Sequence, residues 1–137
     1  MILLPDSASM AIRSEGERSY PNECCGALLG EMDESGARAI SEILPIDNGR
    51  ETEERYHRFV IGPDDFMAAE KTARELGLGV IGFYHSHPDH PAVPSDYDRD
   101  HALPWYSYVI VAVESGVSGD LTSWELDADR SQFIKEL

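Results

Sequence analysis

The stretch Val80-Ile81-Gly82-Phe83-Tyr84-His85-Ser86-His87 constrains this chain more than any other part of it. An apolar beginning suited to a buried strand runs straight into a histidine-serine-histidine end, and Pro88 and Pro91 then force the chain out of regular structure. Such a strand needs cover over its first half and an opening at its polar end. Side chains alternate faces along a strand, so His85 and His87 point the same way and can share one ion. Isolated, this spacing more often marks two polar residues at a strand end than a ligand pair, so the surroundings decide.

Hydrophobic periodicity orders the rest of the chain. Residues 1–4 read as a short strand, and residues 7–20 as a polar helix with a partial apolar stripe at Ala8, Met10, Ala11 and Ile12, broken by Pro21-Asn22. The small apolar run 24–30 reads as a buried central strand. Residues 37–46 and 55–61 read as two further strands, separated by a polar loop over 47–54 that is expected to be mobile. Pro63 opens a helix in which Phe66, Ala69, Ala73 and Leu76 recur at three- and four-residue spacing until Gly77 and Gly79 stop it. Pro94-Ser95 opens a short helix, 106–113 is a strong strand, and 121–126 pairs with it across Gly116 and Gly119. Strands interleaved with helices predict an α/β or α+β sheet domain. At 137 residues, the chain is expected to form a single domain over 1–137.

Charge narrows the function classes. Eleven Lys and Arg against 26 Asp and Glu leave a net charge of −15, which repels phosphate backbones and anionic membranes, so neither nucleic acid nor membrane is expected as a partner. With only two lysines, Lys71 and Lys135, the acid excess is also consistent with adaptation to high salt, which screens like-charge repulsion. The two cysteines, Cys24 and Cys25, are adjacent, which rules out a disulfide-stapled scaffold. Met1-Ile2-Leu3-Leu4 is followed at once by Pro5-Asp6 and lacks the basic start and long apolar stretch of a signal peptide, so a cytoplasmic location is expected.

The loop after His87 leads to Ser95-Asp96-Tyr97-Asp98, and a short helix there can return one carboxylate to the strand end as a third ligand. Two neutral imidazoles and one carboxylate with a fourth position open is the arrangement that holds a hydrolytic water on zinc. Ser95 and Asp98 also fit a purely structural capping box, and the two roles are compatible for the serine, whose hydroxyl can donate to a developing oxyanion. Hydrolysis needs a base, and Glu23 stands just before the buried run, where partial burial raises a carboxyl pKa. Cys24 and Cys25 read as small core residues. His85-Ser86-His87-Pro88-Asp89-His90 also matches the H-x-H-x-D-H pattern of metallo-β-lactamase-like hydrolases, but that fold is longer and needs histidines far downstream, where only His101 follows. His90 and Asp89 are therefore read as loop residues, and His57 and His101 as ordinary surface or packing histidines.

Glu23 followed by Cys24-Cys25-Gly26, then His85-Ser86-His87-Pro88, six residues, Ser95, two residues and Asp98, resembles the full signature of the JAMM (MPN-plus, Mov34/PAD-1) metallopeptidases. Tyr20-Pro21-Asn22 before Glu23, Gly82-Phe83-Tyr84 and Ser107-Tyr108-Val109-Ile110-Val111 are similar to the short bacterial standalone members, and the likeness runs from about residue 8 to residue 126. The resemblance implies a mixed central β-sheet flanked by helices with cytidine-deaminase-like topology. It implies one Zn2+ with a catalytic water, bound by His85, His87 and Asp98. Glu23 would be general base and acid, and Ser95 would stabilise the oxyanion. The implied reaction is hydrolysis just after the C-terminal Gly-Gly of a small ubiquitin-like sulfur-carrier protein. A zinc hydrolase acting on other peptides or amides and a non-catalytic interaction module are the competing readings. The sequence leaves a homo-oligomer open.

Overall fold

The computed structural model describes residues 1–47 and 61–137. Its elements are β1 (Ile2–Leu3), α1 (Asp6–Ser19), β2 (Cys25–Met32), β3 (Arg38–Ile46), α2 (Pro63–Glu75), β4 (Gly79–Pro88), α3 (Asp96–His101), β5 (Ser107–Glu114), β6 (Val117–Leu126) and β7 (Phe133–Lys135). The strands form one mixed sheet in the order β1-β3-β2-β4-β5-β6-β7, in which β1 with β3 and β4 with β5 run parallel and the other neighbours antiparallel. This is the expected mixed sheet flanked by helices.

Each face of the sheet carries its own core. On one side Ala8 and Ile12 of α1 pack on Leu28, Tyr84, Val109, Val111 and Val113. The buried positions of α1 are Ala8, Ile12 and Gly16, four apart, whereas Met10 is 67% exposed because two residues is about half a turn away from that stripe. On the other side Ala69 and Ala73 of α2 pack on Ala27, Leu29 and Phe83, with Phe66 and Tyr106 closing an aromatic cluster around Phe83. The alternation along β4 therefore splits its residues: Tyr84 belongs to the α1 core, Phe83 to the α2 core.

Some sequence expectations shift. The hairpin joining β5 and β6 turns at Ser115 (φ 50°) and Gly116 (φ 85°), a tight two-residue turn with both residues at positive φ, so β6 begins at Val117 and contains Gly119. β7 was not expected; its three residues are too short for a periodic signal. Residues 55–60 of an expected strand, most of the loop 47–54 and His57 lie outside the described residues, and Ile61 carries no strand pairing. Among the described residues no helix is long and apolar enough to cross a membrane.

The end of the sheet away from His85 and His87 is pinned by a charge. Arg38, only 5% exposed, lies 3.1 Å from a Glu125 carboxylate oxygen and 3.6 Å from Glu136, and donates to Ser107 Oγ at 3.3 Å. One side chain from β3 thereby holds the starts of β3 and β5 to the ends of β6 and β7.

Candidate active site

Residues 85–87 sit where β4 passes between β2 and β5, with Cys25 paired to His85 on one side and Ile110 on the other. A central strand flanked on both edges cannot move its side chains freely, and His85, Ser86 and His87 are all buried. Ser86 turns towards α1, and the two imidazoles turn to the opposite face, their Nε2 atoms 3.0 Å apart. As the spacing predicted, they face one point.

Asp98 meets them from α3. Its Oδ2 lies 3.1 Å from His87 Nε2 and its Oδ1 lies 3.3 Å from His85 Nε2. The helix places it there by its cap: Asp98 N–H donates to Ser95 Oγ at 3.1 Å, and Ser95 N–H donates to Asp98 Oδ2 at 2.9 Å. The capping box is present, and the same cap aims the carboxylate at the histidine pair. Asp96 points elsewhere, with a 94% exposed side chain.

The fourth group is Glu23, 6% exposed, in the short connection between α1 and β2. Its carboxylate and the ring nitrogens of His85 and His87 lie within 4.8 Å of one another. Ser95 stands at the N-terminus of α3 with its hydroxyl oxygen accepting from Asp98, which leaves its proton available to donate. An open cleft of about 750 Å³ is lined by Glu23, His87, Pro91, Ser95 and Asp98, and a smaller cavity of about 150 Å³, walled by Phe66, Phe83 and Tyr108, reaches His85 and Asp98 from the other side.

The two imidazole Nε2 atoms and the Asp98 carboxylate, which faces each imidazole with a different oxygen, fit a metal ion. Zinc bound tetrahedrally by nitrogen and oxygen ligands at about 2.0–2.2 Å requires ligand atoms roughly 3.3–3.5 Å apart, close to the 3.0 Å between the imidazoles and the 3.1 and 3.3 Å from His87 to Asp98 Oδ2 and from His85 to Asp98 Oδ1. Their protonation suits the same use. Burial pushes His85 below its usual pKa, against the opposing pull of Asp98, and so favours the neutral imidazole. Burial alone would raise the Asp98 carboxyl, but His85, His87 and the Ser95 N–H reverse this and hold it well below the carboxylate range. His87 Nδ1 lies 2.8 Å from the Pro91 carbonyl oxygen, so Nδ1–H donates there and Nε2 presents its lone pair.

Reading the sequence missed the Pro91 carbonyl, because any residue could supply it. Asp89, read as a loop residue, accepts from Tyr20 Oη at 2.6 Å and from Ser115 N–H at 2.8 Å. Cys24 and Cys25 are buried core residues as expected, with the Cys24 thiol pushed up to about 12 by burial. His101 stacks on Tyr97 with ring centroids 4.0 Å apart and takes no part in the cluster.

The family model described as prokaryotic homologs of the JAB domain matches residues 5–127. A desampylase from Haloferax volcanii is 32% identical over 125 residues, covering 90% of this chain and 84% of the relative. A probable TtuB-protein conjugate cleaving protease from Thermus thermophilus is 29% identical over 80 residues, 58% of this chain and 53% of that protein. The solution structure of a protein from Salinibacter ruber, 42% identical, superposes with a TM-score of 0.77 over 99% of this chain and 88% of that one. With a histidine pair, a capped aspartate and a buried glutamate converging on one cleft, and with the match running through all of them, this chain belongs to the prokaryotic JAB (JAB/MPN) family.

Proposed function

We propose that this protein is a zinc-dependent peptidase or isopeptidase that hydrolyses the bond after the C-terminal Gly-Gly of a small ubiquitin-like sulfur-carrier protein. The observation that carries this reading is the Nε2, Nε2, carboxylate triangle with separations of 3.0 to 3.3 Å and a second buried carboxylate, Glu23, beside it. The relatives named for desampylation and for cleaving TtuB-protein conjugates support the substrate class.

His85, His87 and Asp98 are the residues that would hold the metal. Asp98 touches both imidazoles directly, and Glu23 offers its carboxylate within 4.8 Å of them. When bound, zinc supplies Lewis acidity and brings the pKa of a coordinated water towards neutrality. Glu23 accepts a proton from the attacking water and later delivers it to the leaving nitrogen. Ser95 Oγ–H donates to the scissile carbonyl oxygen as negative charge builds there. Its oxygen accepts from Asp98 N–H, and its proton is left to donate on the cleft that Ser95 lines.

The test is intact-mass spectrometry of a small ubiquitin-like carrier bearing a few residues beyond its Gly-Gly, incubated with wild type and with Glu23→Gln. Trimming back to Gly-Gly by wild type alone is the expected result. No trimming by zinc-loaded wild type would overturn the substrate class, and digestion of unstructured casein in its place would favour a general metallopeptidase.

A further inference from the structure

The segment carrying Glu23 is tied to the segment carrying His87 on both sides of the base. Upstream, Tyr20 Oη donates to Asp89 Oδ2 at 2.6 Å. Downstream, Cys24 N–H donates to Ser86 Oγ at 2.8 Å, and Ser86 N–H donates back to the Cys24 carbonyl at 3.1 Å. Glu23 itself lies between α1 and β2, in the short connection that joins them. The two ties bracket it, at positions 20 and 24, and on the other side they bracket His87, at positions 86 and 89.

Both anchor points are themselves fixed. Ser86 is fully buried in the central strand, between the two imidazoles in sequence and against Gly16 of α1 in space. Asp89 adopts φ 57°, donates its N–H to the Val113 carbonyl at 2.8 Å, and accepts from Ser115 N–H through the oxygen that Tyr20 does not use. The β5–β6 turn, the end of β4 and the connection after α1 thus meet at one carboxylate. A catalytic carboxylate on a short connection depends on such ties for its placement, because misplacement by about 1 Å can cost a hundredfold in rate.

We propose that Ser86 and Asp89 are positioning residues for Glu23, acting through Cys24 and Tyr20 to set the distance between its carboxylate and the imidazole pair. The proposal rests on Glu23 being the base. It gives a purpose to the serine of the His-Ser-His run and to the aspartate that follows Pro88.

The test uses Tyr20→Phe, which deletes one hydroxyl from a half-buried side chain, together with Asp89→Ala, Ser86→Ala and the conservative Ser86→Thr. In metal-free protein, amide hydrogen exchange at Cys24 should rise about tenfold in Tyr20→Phe, while α2 amides exchange as in wild type. With zinc content equal to wild type, kcat on the carrier adduct should fall about ten- to a hundredfold at unchanged KM, and Ser86→Thr should restore most of what Ser86→Ala loses. In the Glu23→Gln background, Tyr20→Phe should cost nothing further. Unchanged exchange at Cys24, or the same fractional loss of rate with and without Glu23, would overturn the proposal. If wild type turns over no carrier adduct, the substrate reading fails, and the exchange measurement alone still decides this one. Should Ser86→Ala fail to fold, Tyr20→Phe and Asp89→Ala carry the test.

Discussion

Ser95 and Asp98 hold each other twice, hydroxyl to amide at 3.1 Å and amide to carboxylate at 2.9 Å, and the carboxylate oxygen so held lies 3.1 Å from His87 Nε2. The start of α3 therefore sets the rotamer of the group that completes the histidine pair. A ligand locked by a backbone cap loses little freedom when an ion arrives, which is how a preformed site gains affinity.

Ser95→Ala should separate the two roles of this serine. Loss of the cap costs about 1 kcal/mol, or roughly 2–5 °C in Tm. Loss of an oxyanion donor costs about a hundred- to a thousandfold in kcat. Thermal unfolding and steady-state kinetics on one preparation measure both, and a rate loss explained by the stability change alone would remove the oxyanion role.

Metal removal should lower stability as well as activity. His85, His87 and Asp98 come together only in the folded chain, so zinc held by them at about 1,000 times its Kd would add roughly 4 kcal/mol. Elemental analysis should find one zinc per chain in wild type and none in His87→Ala, and the Tm of that variant should not respond to added zinc. Full zinc occupancy in His87→Ala would contradict the ligand set.

Acidification of the metal-free protein should destabilise it as pH falls through about 6.5, the unfolded-state value for histidine. Burial holds the folded pKa of His85 below that value. Between the two values the unfolded chain binds a proton that the folded chain refuses, so stability rises with pH across this window and is fully present above it. Urea unfolding at pH 5.5 and 7.5 should show the slope, and His85→Gln should flatten it.

Gly26→Ala tests the back of the site. Gly26 pairs with Tyr84 across β2 and β4, and a Cβ there would meet the Tyr84 ring at 2.3 Å. That ring is fully buried and its hydroxyl donates to Glu15, so it has nowhere to retreat. A loss of about 1–3 kcal/mol is expected, read by chemical denaturation, and a neutral result would mean that Tyr84 can rotate away.

Much of the site was legible in the sequence because each part is a local pattern. The two-residue spacing of His85 and His87 sets their common face through strand alternation alone, and Pro63, Phe66, Ala69 and Ala73 marked α2 by period and cap. Glu23, Ser95 and Asp98 stood at the spacing of the JAMM signature, and the structure brings Glu23 and Asp98 to the histidine pair with Ser95 on the same cleft.

What only the tertiary structure decided is everything that depends on which strands are neighbours. Period and propensity act over a few residues, and they are silent on the parallel pairing of β4 with β5, on the closure of the sheet end by Arg38, and on the short β7. The spacing from Ser95 had already set Asp98 apart from Asp96, and the fold adds that this capped carboxylate meets the histidine pair of a distant strand while Asp96 stays in solvent. The ties from Tyr20 to Asp89 and from Cys24 to Ser86 span more than sixty positions, |i−j| 69 and 62, and come within hydrogen-bond reach only because β2 and β4 lie side by side. The residue types that can do the chemistry are written locally, while the distances that let them do it together come from long-range packing.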